Sequence, residues 1–272
     1  MTRTATRATL LAALLLATAT GTAQAHRMWL EPSTFTLSGT DQWITVDGAI
    51  SNDLFVPNHV PLPLNGLSVT GPDGAPVALE NAHRGKLRSV FDLKLEKDGT
   101  YRIAEEGAVF IALWKEDGEQ KRRRGTLEEL RKAGLESKPE AKFIQSMRRV
   151  ETFVTLGAPN DTALKPTGRG LELLPVTHPN DIVAGEKATL KLLLNGEPAA
   201  GLKVTIVKAG DQYRDKPATQ ELETGADGAV AFTVAEPGRY WLNAQSRGRT
   251  TVEGLEMDRM MSYVATVEAA AP

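Results

Sequence analysis

Apolar and polar residues alternate in short runs along most of the chain beyond residue 40. Trp43-Ile44-Thr45-Val46 alternates behind a polar turn, and Gly66-Leu67-Ser68-Val69-Thr70 repeats the pattern. Residues 89–95 alternate almost strictly, and residues 101–104 and 108–114 continue the pattern. A period of two sends successive side chains to opposite faces, as in a half-buried strand. Asp73-Gly74, Asp98-Gly99, Asp117-Gly118, Asn195-Gly196 and Asp227-Gly228 punctuate these runs. Each can supply the positive φ that a hairpin turn requires. Short strands at this spacing predict an all-β sandwich.

The alternation breaks between residues 115 and 150, where charge is dense and Lys121-Arg122-Arg123-Arg124 occurs. Thr126-Leu127-Glu128-Glu129 has the spacing of a capping box and predicts a short helix, and Pro139 interrupts the stretch beyond it. The whole segment reads as a charged, partly helical insertion, its basic run a solvated surface, with docking to an acidic partner as the functional alternative. A strand over 151–155 then closes a first domain, and the Pro-, Gly-, Asn- and Thr-rich residues 158–170 read as a linker. Strands over 188–194, 202–207, 229–234, 239–244 and 262–267 make up a second domain. The expected organisation is an N-terminal β-sandwich over 26–157, carrying the insertion at about 115–150, and a C-terminal immunoglobulin-like β-sandwich over 170–269. Patterning leaves the immunoglobulin and transthyretin topologies both open.

The first residues show a third pattern. Arg3 and Arg7 precede an apolar run over 10–17, and small residues lead to Ala23-Gln24-Ala25. A positive start, a short apolar stretch and an A-x-A site predict a cleavable signal peptide over 1–25. The apolar run is shorter than the ~20 residues a spanning helix needs. The expectation is a periplasmic protein with no stable membrane insertion after processing.

Composition narrows the chemistry. A net charge of −2 gives no reason to expect nucleic acid, and the absence of Cys removes disulfides, thiolate metal sites and a Cys nucleophile. G-x-S-x-G, a Walker A loop and a dinucleotide fingerprint are missing, so no enzymatic activity is expected. Histidine is then the informative residue type. Cleavage after Ala25 would make His26 the new terminus, where the α-amine and imidazole can chelate one ion; a further His nitrogen would complete a copper-favouring brace. Cleavage after Ala23 would put His26 third from a free amine, another Cu(II) or Ni(II) chelator. His59, in the Pro-bracketed Val56-Pro57-Asn58-His59-Val60-Pro61, and His178, in Val176-Thr177-His178-Pro179, are the further candidate ligands. The bland reading of each is a hydrogen-bonded loop residue, and His83 reads as a turn residue. Met257, Met260 and Met261 read as packing residues before soft ligands.

The block His26-Arg27-Met28-Trp29-Leu30-Glu31-Pro32-Ser33 behind a signal peptide resembles a bacterial family of periplasmic proteins with a domain of unknown function, often described as components of cobalt/nickel uptake. The likeness continues through Trp43-Ile44-Thr45-Val46-Asp47 and Ser51-Asn52-Asp53-Leu54-Phe55, and returns at residues 170–179. It implies two exported β-sandwich modules with a transition-metal role, and carries His26, His59 and His178 over as ligands. The function expected is capture or delivery of a nickel, cobalt or copper ion, with an envelope transporter or receptor component as partner. Two alternatives stand beside it. One is a non-catalytic envelope interaction module of two immunoglobulin-like domains. The other is a copper-dependent oxidative enzyme, ranked last because no aromatic row supplies a flat substrate surface.

Overall fold

Three sheets account for nearly all the secondary structure, and the middle one has apolar residues on both faces. The computed structural model describes residues 26–214 and 218–272; the signal peptide expected over 1–25 lies outside the described residues. An N-terminal sheet runs Arg27–Pro32, Gln42–Ser51, Ser89–Leu95, Glu80–Arg84, all antiparallel, with Val60–Pro61 added beside Gln42–Ser51. A C-terminal sheet sets Lys187–Leu194 against Leu171–Pro175, Glu197–Pro198 and Ala229–Thr233. Between them lies a nine-stranded sheet. Its main path is Thr219–Glu223, Lys203–Lys208, Gly238–Val252, Leu255–Ala269, Lys142–Leu156, Gly99–Glu116, Leu67–Thr70. The chain adopts the all-β, immunoglobulin-like sandwich class that the alternation predicts.

A parallel pairing makes the central sheet continuous. Lys142–Leu156 runs alongside Leu255–Ala269 in register from Ile144↔Asp258 to Thr152↔Thr266. Strands from the first half of the chain and strands from the second thus share one ladder. Alternation then sorts their side chains. Val150, Val154, Val207, Trp241 and Val264 face the N-terminal sheet and pack with Trp29, Val46 and Phe91. Phe153, Ile206, Leu242, Tyr263 and Val267 face the C-terminal sheet and pack with Leu190 and Phe232.

Beyond the area covered by the two outer sheets, the central strands continue as an arm. The helix Leu127–Lys132 lies on one face of it. Its capping box is complete: Glu129 N donates to Thr126 Oγ1 at 3.1 Å, and Thr126 N donates to Glu129 Oε2 at 2.8 Å. Leu127 and Leu130 pack with Leu135, Ala112, Phe143 and Met257 in a third small core. The charged stretch thus contains the expected helix, and it also contains the strand Glu119–Gly125, which pairs with Gly99–Glu116 from Phe110↔Gly125 to Glu116↔Glu119. The basic run sits on that strand, where side-chain charge hid the strand from an apolar-pattern reading. Residues 158–170, expected as a linker, hold a 3-10 turn at Thr162–Leu164 with Ala163 and Leu164 buried.

One polar cluster is buried on the C-terminal side of the central sheet. Arg149 reaches Glu172 at 2.7 Å, Glu106 at 3.0 Å and Glu151 at 3.5 Å. Glu172 also accepts from Thr167 N and Oγ1, Gly168 N and Arg169 N. Burial pushes the Glu172 carboxyl up, but these hydrogen bonds and Arg149 outweigh it and hold it below the usual value. Among the described residues, Glu151 has only Tyr263 as a hydrogen-bonded donor, at 2.8 Å. There burial outweighs Arg149 and the tyrosine, and the carboxyl lies above its usual value.

Candidate metal centre

Trp29 is the anchor of the site. It is buried in the N-terminal core, and its indole N–H donates to Ser51 Oγ at 2.7 Å. Ser51 Oγ donates in turn to the carbonyl of Asp53 at 2.6 Å. The loop leaving Ser51 is closed by Asn58, whose amide donates to Asp53 Oδ2 at 2.7 Å and accepts from Asn52 N at 2.9 Å. Phe55 adopts a positive φ of 60° inside this loop and meets Trp29 edge-on at 5.6 Å. The chain then re-enters the sheet at Val60–Pro61, opposite Ile50 and Ala49. Since Arg27 pairs with Ser51, the residue before Arg27 and the residue before Val60 arrive at the same place. The His26 and His59 rings stack there, with centroids 3.8 Å apart and planes 7° from parallel, and both residues are exposed.

Residues from the second half of the chain close around this strand end. Arg27 pairs with the buried Asp211 and lies 6.0 Å from the Trp241 ring centre. Trp241 Nε1 donates to the carbonyl of Met28 at 2.8 Å. Arg239 pairs with Glu31 and lies 6.0 Å from the Phe55 ring. No local sequence signal points to Asp211, Arg239 or Trp241, because each lies about 200 residues along the chain from its partner strand. Asp211 and Glu31 are engaged by arginines and Asp53 accepts from Asn58, while the two imidazoles face solvent.

His178 is placed elsewhere. Its Nε2 is 2.9 Å from Thr100 Oγ1, and its Nδ1 accepts from Asn180 N at 3.2 Å, which assigns the proton to Nε2. Thr100 bonds Thr155 at 3.0 Å, and Thr155 donates to Asn180 Oδ1 at 2.9 Å, closing a ring of polar contacts. Thr155 pairs with Thr36, beyond the far end of Arg27–Pro32 from His26. The five residue steps from Arg27 to Pro32 in extended chain separate those ends by roughly 17 Å. The structure brings His26 and His59 together and holds His178 apart, both its nitrogens engaged within the fold. His83, expected in a turn, sits exposed on the edge strand Glu80–Arg84 opposite Val90.

Among the described residues, no group of three or more His, Cys, Asp or Glu side chains gathers as a metal site. The His26–His59 pair supplies two nitrogens. A third becomes available if processing frees the His26 α-amine. An imidazole binds a metal through a lone pair in the ring plane, so parallel stacked rings must swing open to share one ion. Both side chains are exposed and can make that rotation.

A family model described as a domain of unknown function, DUF4198, matches residues 23–248. No curated protein matches. Among solved structures, the D0-D1 domain of intimin is 13% identical over 89% of this chain and 97% of that one, with a TM-score of 0.22. A DUF4785 family protein from Legionella pneumophila is 10% identical over 78% of this chain and 50% of that one, with a TM-score of 0.24. An ICAM-5 D1–D4 ectodomain fragment is 13% identical over 90% of this chain and 51% of that one, with a TM-score of 0.19. Scores this low do not bear on function, and the sandwich class rests on the strands themselves.

Proposed function

Since the chain belongs to DUF4198, a family of unknown function, we propose its role from its own residues: an exported, periplasmic protein that binds a transition-metal ion at His26 and His59 and delivers it to an envelope uptake component. The observation that carries this reading is the pairing of the two imidazoles, 3.8 Å apart, at the end of the chain's first described strand. Their sequence separation and the hydrogen-bonded loop through Asn58 and Asp53 make the pairing a product of the fold. Imidazole and amine nitrogens favour Cu(II), then Ni(II) and Co(II), by the general order of divalent affinities. The ion is cargo here, and the protein's part is to present nitrogen donors on a surface from which a receiving protein can take it. His178 has no part in this site.

The test is Cu(II) and Ni(II) titration of the mature protein and two variants. His59→Ala is expected to weaken binding by about tenfold or more, the cost of one lost nitrogen donor, while His178→Ala leaves the affinity unchanged. Loss on His178→Ala with none on His59→Ala would overturn the assignment. A second reading, a non-catalytic interaction module, is favoured by a separate observation: one face of the arm is rich in arginine and is uncovered among the described residues.

A further inference from the structure

The arm has two unequal faces. The helix Leu127–Lys132 covers the face bearing Ala112, Phe143 and Met257. Side chains one residue out of phase point the other way, where no element packs on them among the described residues. Cross-strand register fixes what that face carries. One row reads Arg124, Ile111, Ile144, Asp258, Arg249 across five neighbouring strands. The next reads Val109, Ser146, Met260, Arg247. Ile111, Ile144 and Met260 are half-exposed, while Arg122, Arg124, Arg247 and Arg249 are exposed. An apolar ridge thus runs between two arginine borders. Asp258 is the single carboxylate in its row, and Arg249 also pairs with Glu256 at 3.1 Å.

Arginines on an edge strand can serve simply to prevent edge-to-edge pairing. Both borders lie on edge strands of the arm, because Gly238–Val252 pairs with Lys203–Lys208 only as far as Ala244, so that purpose accounts for all four arginines; it does not account for the half-exposed apolar ridge between them. Four strand spacings of ~4.8 Å put the borders roughly 19 Å apart. An α-helix is about 10–12 Å across with its side chains, so one helix fits between them. We propose that this face docks an acidic amphipathic helix of a partner protein, its apolar stripe on Ile111, Ile144 and Met260 and its flanking carboxylates on Arg124 and Arg249. A second copy of this chain is disfavoured as occupant, because a self-complementary contact would set arginine rows against each other. The surface and the His26–His59 site share no residue, so each stands without the other.

The probe is a fluorescent synthetic helix with leucines on one stripe and glutamates on both flanks, titrated with the full mature protein and read by anisotropy. Saturable binding at about micromolar Kd is expected. The pairs Arg122→Glu with Arg124→Glu, and Arg247→Glu with Arg249→Glu, are each expected to weaken it about tenfold or more, as is replacing the peptide's glutamates by lysine. Circular dichroism checks the fold; Arg124→Gln and Arg249→Gln, which remove charge without reversing it, serve if a reversed pair misfolds. No saturable binding, or equal binding by the reversed variants, overturns the proposal. So does arginine-dependent binding to phosphatidylglycerol vesicles without binding to the peptide, which would make the occupant a membrane.

Discussion

Asn58 ties both sides of the loop that delivers His59, and Trp29 pins the strand that delivers His26. Asn58→Ala removes two hydrogen bonds from an exposed loop, so the global cost should be only about 1 kcal/mol. The metal affinity should nevertheless fall, because the loop no longer presets His59; unchanged affinity would show that the loop does not position the ligand. The buried carboxylates give a second residue-scale prediction with opposite signs. Glu151 has a raised folded-state value, so the native state holds its proton more tightly than the unfolded chain. Its contribution therefore falls as pH rises from the unfolded value toward the folded one. Glu151→Gln still offers Tyr263 an oxygen, and its melting temperature should gain on wild type as pH rises above the usual carboxylate range. Glu172 has a lowered value, so its contribution is present above the unfolded value and lost as pH falls through the folded one. Glu172→Gln should cost about 3 kcal/mol at neutral pH, by leaving Arg149 underpaired, and less in acid. Parallel melting curves for the two variants across pH would contradict both assignments.

The helix Leu127–Lys132 was legible at the scale of elements because its cap is local: Thr126 and Glu129 are three residues apart and bond each other. Thr126→Ala should cost about 1 kcal/mol and should raise hydrogen exchange in the arm before it does so in the sandwich. Uniform exchange throughout would mean that the arm unfolds only with the whole. The strand Glu119–Gly125 was not legible, since Lys121-Arg122-Arg123-Arg124 shows no apolar alternation. Its formation is decided by the neighbouring strand, whose Ile111, Ala112 and Leu113 lie opposite Arg124, Arg123 and Arg122. The strands with clean alternation, such as Ser89–Leu95, were readable because one face is buried and the other half-exposed. The three candidate histidines were nameable from sequence, and two of them meet in the fold. What brought His26 to His59 and left His178 hydrogen-bonded to Thr100 was strand register, which no local pattern encodes.

For the molecule as a whole, the parallel pairing of Lys142–Leu156 with Leu255–Ala269 matters most. It places strands from the two halves in one sheet, with the N-terminal core drawing Val207, Trp241 and Val264 from the second half. Thermal unfolding of the mature protein should accordingly be one transition, with calorimetric and van't Hoff enthalpies equal. Two resolved transitions would show that the halves fold as separate units. The same continuity puts Asp211, Arg239 and Trp241 around the strand that begins at Arg27, so the proposed metal site depends on both halves of the chain.

The most direct test of the central claim is Cu(II) titration of protein purified from the periplasm, its native terminus verified by intact mass, against the same chain carrying a flexible five-residue extension that ends in proline before His26. The account predicts tight binding by the native form and marked weakening in the extended one, because the extension turns the His26 α-amine into an amide and its proline, with no N–H to give up, keeps the new terminus from chelating with the imidazole. Equal and weak binding by the two forms would contradict a metal site at this terminus.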